Sequence, residues 1–334
     1  MSGDFIWGDA GRVIVCREGG VGGAAQTLHE HGFDRFELLT TERALAEAKA
    51  LGAAAEVVHE LGPGQVPELA GALLDRVSSP WLVAFGGGRV IDATKAIASA
   101  SGARVAAIPT TLSGAEMTGI HRLPAGAEQR VRAMVRPVLV LADPQAMTSQ
   151  PEQQLRASAM NALAHGADSL YTPFANPVSR MTALRGAELI AGALDQDPSA
   201  RDRAALAQGS LFSAYALDSS AFAIHHVVCQ TLVRVCGTPH AGTNAAILPR
   251  VMAFMAPRAP DEIASLAAAI AVDPSEIEPR ILELGGQPAG LGGLGADRTK
   301  LDIAIDSMLA RPELAFTPRP PGRDELRELV DSAW

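Results

Sequence analysis

The 334-residue chain predicts an α/β domain built on a parallel sheet, followed by an all-helical domain. Two patterns carry this. Through the first 147 residues, short apolar runs alternate with helical patterns, whereas from Pro151 onward the apolar residues recur at helical spacing with few β-branched runs. Length agrees, because single hydrophobic cores stop growing near roughly 250 to 300 residues. We therefore read residues 1–147 and 148–334 as the two domains and expect the site in the cleft between them.

In order, "RVIVC" reads as a strand, "GGAAQTLHEHG" as a helix, "FELLTT" as a strand, "ERALAEAKALG" as a helix and "AEVVHEL" as a strand. "VPELAGALLDRV" follows as a helix and "WLVAFGGG" as a buried strand. This alternation places helices over a parallel sheet. "RVAAIPTT" and "VRPVLVLADP" supply two more strands, the second ending at Asp143 and Pro144. Beyond Pro151, "QQLRASAMNALAHGADSLY", "SRMTALRGAELIAGAL" and "SARDRAALAQGSLFSAYAL" carry helical periodicity only.

Composition removes several classes of function. Net charge is −9 and no run of Lys or Arg stands out, so no nucleic-acid partner is expected. The most apolar segments, such as "LAAAIAV" at 266–272, fall far short of the ~20 residues that span a bilayer, so no membrane partner is expected either. The opening "MSGDFIWGDAGRVIV" has no basic stretch followed by an apolar one, and a cytoplasmic protein is the expectation. Cys16, Cys229 and Cys236 form neither an even framework nor a C-x-x-C pair and read as buried, apolar-like thiols.

In "WLVAFGGGRVIDATKAIA" a buried strand runs through Gly86, Gly87 and Gly88 into a helix. Such a turn lets the backbone approach an anion at a helix start, where free N–H groups and the positive dipole end meet. The other reading is a tight turn without a ligand. It is neither a G-x-G-x-x-G nor a P-loop.

Asn161 and His165 stand four apart on one predicted helix, and His226 and Gln230 repeat that spacing on another, which "GTPH" ends before His240. Each pair projects from one helix face. A metal site, a set of proton donors and a histidine-containing core are the three readings of this group.

Four segments in order resemble the iron-containing alcohol dehydrogenase superfamily, with its dehydroquinate synthase-like fold. They are "FGGGRVIDATKAIA", "IPTTLSGAEMTGI", "MNALAHGADSLYTPFANPVSR" and "HHVVCQTLVRVCGTPHAGTNAAILP". The opening "FIWGDAGRVIV", "AEMT", Asn161, "ANP" and the ending "FTPRPPGRDELRELVDSAW" are similar to the maleylacetate reductase branch. The resemblance implies a nucleotide-binding first domain, NADH or NADPH as cofactor, a homodimer, and a small dicarboxylate as substrate in aromatic-ring catabolism. It places Asn161, His165, His226 and His240 on the four positions that hold iron or zinc in the alcohol dehydrogenase branch, where the first is aspartate. With an amide there, the only anionic ligand is gone. The branch with this asparagine works without a metal, so no metal is expected, zinc or iron being the alternative.

By the same resemblance, hydride adds to the C=C of maleylacetate, or a related 4-oxo-2-enedioate, to give 3-oxoadipate. His165, His226 or His240 then acts as an imidazolium proton donor. Thr40, Thr41, Thr110 and Thr111 line the ribose and adenine side, without an acidic residue to repel a 2′-phosphate; Asp92 and Lys95 orient the turn or the nicotinamide side. Arg122, His225 and Arg319 are candidates for the substrate carboxylates. The chain departs from the family at Arg89, which stands in place of serine, and at Ala115, Gln230 and Asn244, the last two of which line the substrate pocket by analogy. Two other readings stay open: a metal-dependent dehydrogenase of another small alcohol or carbonyl compound, and a diverged member with a non-redox biosynthetic or binding role.

Overall fold

The structure, a computed structural model, describes residues 5–9 and 11–334, and of residues 5–9 the backbone alone. The first four residues of the opening segment, on which the targeting expectation partly rests, and Ala10 lie outside the described residues. The chain up to Gln150 forms one compact unit and Pro151–Trp334 a second.

The first unit runs β1 (Phe5–Asp9), β2 (Arg12–Cys16), α1 (Ala24–Glu30), β3 (Glu37–Thr40), α2 (Glu42–Glu47), α3 (Lys49–Ala54) and β4 (Val57–Glu60). It continues with α4 (Val66–Leu74), β5 (Trp81–Gly86), α5 (Gly88–Ser101), β6 (Arg104–Pro109), β7 (Leu139–Ala142) and α6 (Pro144–Met147). The sheet order is β1-β2-β7-β6-β5-β3-β4. Six strands are parallel, and β1 closes one edge as an antiparallel hairpin with β2.

Alternate residues of the central strands serve opposite faces. Leu82 and Ala84 join the core under α4 and α5, whereas Val83 and Phe85 join the core under α1, α2 and α3. Burial on both faces is why these strands read as unbroken apolar runs.

The segment "ERALAEAKALG" departs from the expected single helix. It breaks at Ala48 (φ −137°, ψ 54°) into α2 and α3. The break lets Ala44, Ala48 and Leu51 all enter the core, and Leu45 folds over Gly52, where a β-carbon would lie 2.6 Å from its Cδ1. One carboxylate also ties the first parallel strand to the last. Asp143, just after β7, accepts from Gly19 N (3.1 Å) and Val21 N (3.1 Å) in the glycine-rich turn after β2, and caps α6 through Gln145 N (3.0 Å).

The second unit contains α7 (Glu152–Leu170), α8 (Pro177–Leu194), α9 (Arg203–Ser220), α10 (Ile224–Cys236), α11 (His240–Met255), α12 (Pro260–Ala269), α13 (Ile277–Leu284), α14 (Leu301–Leu309) and α15 (Arg323–Asp331). Among the described residues it has no strand. α7 is buried along nearly its whole length and forms the axis of the unit. Its first turn is anchored by Glu152, which pairs with Arg156 (2.6 Å) and takes both amino groups of the buried Arg201 (2.6 and 2.9 Å). α8 and α9 approach closely, since a β-carbon on Gly186 would lie 2.9 Å from the Gly209 carbonyl. All three cysteines are buried, and none forms a disulfide. Among the described residues no helix is long and apolar enough to cross a membrane.

Candidate active site

In the first unit the predicted turn joins β5 to α5, with Gly86 ending the strand, Gly87 at the helix cap and Gly88 opening the helix. None of the three has a positive φ, so space rather than backbone conformation requires glycine. A β-carbon would lie 2.7 Å from Val90 Cγ2 at Gly86, 3.0 Å from Thr111 Cγ2 at Gly87 and 2.9 Å from Ser113 Cβ at Gly88. Thr110 N donates to Gly86 O (3.0 Å), which holds the segment after β6 against the turn. Arg89 is exposed on the first turn of α5. We expect Gly88→Ala to cost about 1–3 kcal/mol through overpacking against Ser113, read as a lowered urea midpoint.

Several cofactor-side expectations change here. Thr40 is fully buried and its hydroxyl donates to Phe85 O (2.8 Å), so it faces the sheet and not a ribose. Thr41 caps α2 by accepting from Ala44 N (3.3 Å). Lys95 does not reach for a ligand either. Its buried ammonium donates to the carbonyls of Ala115 (2.8 Å), Thr118 (3.1 Å) and Ile120 (2.7 Å) and pairs with Asp92 (2.9 Å), ordering the segment beside the turn. Within that segment Glu116 is fully buried, its carboxylate without a side-chain partner among the described residues, and burial pushes it up to about 7. Arg122 is exposed in the same unit.

The second unit gathers the predicted polar group around α7, α10 and the start of α11. Asn161 and His165 are buried on successive turns of α7. The His165 ring stacks on His226 at 5.0 Å and 17°, and His225 meets His226 edge-on at 5.1 Å. Asn244 links His225 to His240: its Oδ1 lies 2.8 Å from His225 Nε2, and its Nδ2 donates to His240 O (2.8 Å).

At the centre stands Asp168, which the sequence reading did not single out. It lies one turn after His165 on α7 and is fully buried at the start of α10. Its Oδ2 accepts from Ala223 N (2.8 Å), His226 N (3.3 Å) and His226 Nδ1 (2.8 Å). Its Oδ1 accepts from Tyr171 OH (2.5 Å) and His225 N (3.3 Å). Burial alone would raise this carboxyl, but the hydrogen bond and charge of His226, followed by His225 and Tyr171, hold it at about 2. Asp168 thus stays ionised and fixes the proton on His226 Nδ1. The His226 Nε2 atom is buried with no hydrogen-bond partner among the described residues.

Two of the expected proton donors or anion binders are corrected by burial. His165 is driven well below 6.5 by desolvation and then by the neighbouring histidines, so it is neutral, not an imidazolium. His225 is lowered to about 3 by desolvation and by His226, and it is fully buried against Asn244 and Cys229, so it does not serve as a carboxylate anchor. Arg319, at φ 48°, donates to the Pro257 carbonyl in an exposed position. Gln230, one turn after His226, accepts from Arg311 (2.8 Å).

Among the described residues no three of His, Cys, Asp and Glu converge as ligands. The four family-equivalent positions offer an amide and three imidazoles, and the nearby carboxylate of Asp168 is turned onto α10 and His226 Nδ1.

Residues 15–151 match the sequence model described as "Iron-containing alcohol dehydrogenase", and residues 156–334 match "Fe-containing alcohol dehydrogenase family, C-terminal". Maleylacetate reductase 1 of Rhodococcus opacus is 36% identical over 280 residues, 81% of this chain and 78% of that one. Maleylacetate reductase of Rhizobium sp. (strain MTP-10005) is 29% identical and covers 99% of this chain and 97% of its own. The crystal structure of maleylacetate reductase from Agrobacterium tumefaciens superposes with a TM-score of 0.84 at 27% identity, over 100% of this chain and 99% of that one. The chain belongs to the iron-containing alcohol dehydrogenase family, and maleylacetate reductases are among its relatives.

Proposed function

We propose that this oxidoreductase is a maleylacetate reductase that uses NADH or NADPH, works without a metal, and acts on maleylacetate or a related 4-oxo-2-enedioate as a cytoplasmic homodimer in aromatic-ring breakdown. The observation that carries the chemistry is the Asp168–His226 pair with its unpartnered Nε2. Relatives bearing that activity in their names support the substrate class.

We assign the dinucleotide to the first unit, where Gly87 and Gly88 keep part of their surface open at the start of α5 and Arg89 adds a cation for a phosphate. When bound, the reduced nicotinamide supplies hydride to the alkene carbon β to the ketone. Negative charge then moves to the ketone oxygen as an enolate, and a proton goes to the α-carbon. His226 holds and delivers that proton at Nε2, because Asp168 fixes Nδ1–H and stabilises the imidazolium. His165 and His225, held neutral by burial, pack and orient the ring. A conjugate addition of this kind needs a proton source and hydrogen-bond donors at the enolate, which imidazoles provide.

The test is loss of reduced-nicotinamide absorbance on adding maleylacetate to the purified protein, with NADH and NADPH in separate runs. We expect turnover with at least one cofactor, unchanged after a chelator. Lack of turnover with both would overturn the substrate, and activity lost to chelator and restored by zinc or iron would overturn the metal-free reading.

A further inference from the structure

Resting on this dicarboxylate reading, we propose that Arg311 is the anchor for one substrate carboxylate. A dianion brought to the histidine group meets little positive charge there. His165 and His225 are neutral, and Asp168 is a buried anion. A fixed cation from another element is required, and the fold delivers one to the same face of α10. Gln230 stands one helical turn after His226, and Arg311 Nη1 donates to Gln230 Oε1 (2.8 Å).

The guanidinium is also held on its other sides. Its Nε donates to Glu313 Oε2 (3.1 Å), and its Cζ lies 5.5 Å from the Phe222 ring centroid. Phe222 in turn lies 5.6 Å from the His226 ring, so one aromatic side chain contacts both the cation and the proton-bearing imidazole. The Arg311 side chain is 15% exposed. Its Nη2 makes no hydrogen bond among the described residues, nor does the atom stand among the buried orphans. A planar fork clamped at Nε and Nη1, with Nη2 open, is pre-organised to take a carboxylate, and little side-chain entropy remains to be lost. Glu313 balances the charge before substrate arrives.

Arg311→Ala, Arg311→Lys and the wild type should be compared on maleylacetate and on each of its two monomethyl esters. For the diacid we expect the Ala variant to raise KM about 30- to 100-fold with kcat within about threefold, and Lys to fall between. One monoester should show a high KM in the wild type and no further rise in the Ala variant, a loss of sensitivity that a merely structural arginine would not produce. A KM for the diacid within about threefold of wild type, or an equal loss on the diacid and both esters, overturns the proposal. If the wild type turns nothing over, the maleylacetate reading fails separately. Calorimetry with the same diacid then still decides Arg311: binding by the wild type that is lost in the Ala variant supports it, and unchanged binding, or none by the wild type, overturns it.

Discussion

Asp168→Asn is expected to lower kcat for maleylacetate by about 10²- to 10⁴-fold while leaving KM within about threefold. The carboxylate accepts five N–H or O–H groups: Ala223 N, His225 N, His226 N, His226 Nδ1 and Tyr171 OH. An amide replaces one acceptor oxygen by a donor, which faces either Nδ1–H or the start of α10. In the first case the imidazole turns to the other tautomer and presents the wrong nitrogen to the substrate. The anion that stabilises the imidazolium is lost in both. Because Asp168 acts through His226, proton delivery becomes limiting, and the solvent isotope effect on kcat should rise. A variant with the wild-type isotope effect, folded by circular dichroism, would show that Asp168 serves packing alone. Tyr171→Phe, which removes one hydrogen bond but keeps the charge, should cost far less, about tenfold or under.

The second large effect is on stability against pH. His165 and His225 are held below their ordinary value of 6.5, the latter at about 3, chiefly because burial disfavours the charged ring. Unfolded, both take up a proton near pH 6.5. Below that value the unfolded chain binds more protons than the folded one, so stability is present above about 6.5 and is lost as pH falls. Two such groups give the second unit a slope of roughly 3 kcal/mol per pH unit between roughly pH 6 and 5, which Glu116, raised to about 7, opposes by roughly half where the first unit opens as well. Hydrogen exchange of α7 and α10 amides, corrected for intrinsic rates, reads this in the second unit. His225→Asn should halve the slope even though it also lowers stability overall. A flat profile between pH 6.5 and 5 would mean the rings are charged or solvated in the folded protein.

Much of the architecture was legible because the central strands are buried on both faces and the second unit carries a single period throughout. The break at Ala48 was not, since neither Gly nor Pro marks it and only tertiary packing of Leu45 and Leu51 explains it. For the site, the four-residue spacing puts Asn161 and His165 on successive buried turns of α7, and His165 stacks on His226 of α10. Nothing local marks Asp168, since an acidic residue on a helix usually faces solvent, although its place three residues after His165 puts it on that same face. Arg311 lies 81 residues from Gln230, just before the short 3₁₀ turn Pro312–Phe316, and no local pattern relates the two. Thr40 is the last residue of β3 and does not follow the strand, and the inward turn of its hydroxyl depends on where β5 lies, which only pairing decides.

The strand order also has a temporal consequence. β2 pairs on one side with β1 and on the other with β7, and the clasp of Asp143 on Gly19 and Val21 spans more than 120 residues. During synthesis the first hairpin must therefore wait, docked to nothing in the sheet, until the chain has passed Asp143. Closing so long a loop adds only modest entropic cost but delays the step that needs it. Assembly of the first unit should begin with the β5–β6 and β3–β5 neighbours, which are close in sequence, and end with the arrival of the hairpin. Truncations before β7 are expected to leave that hairpin adrift, with an open edge at β6 available for wrong partners.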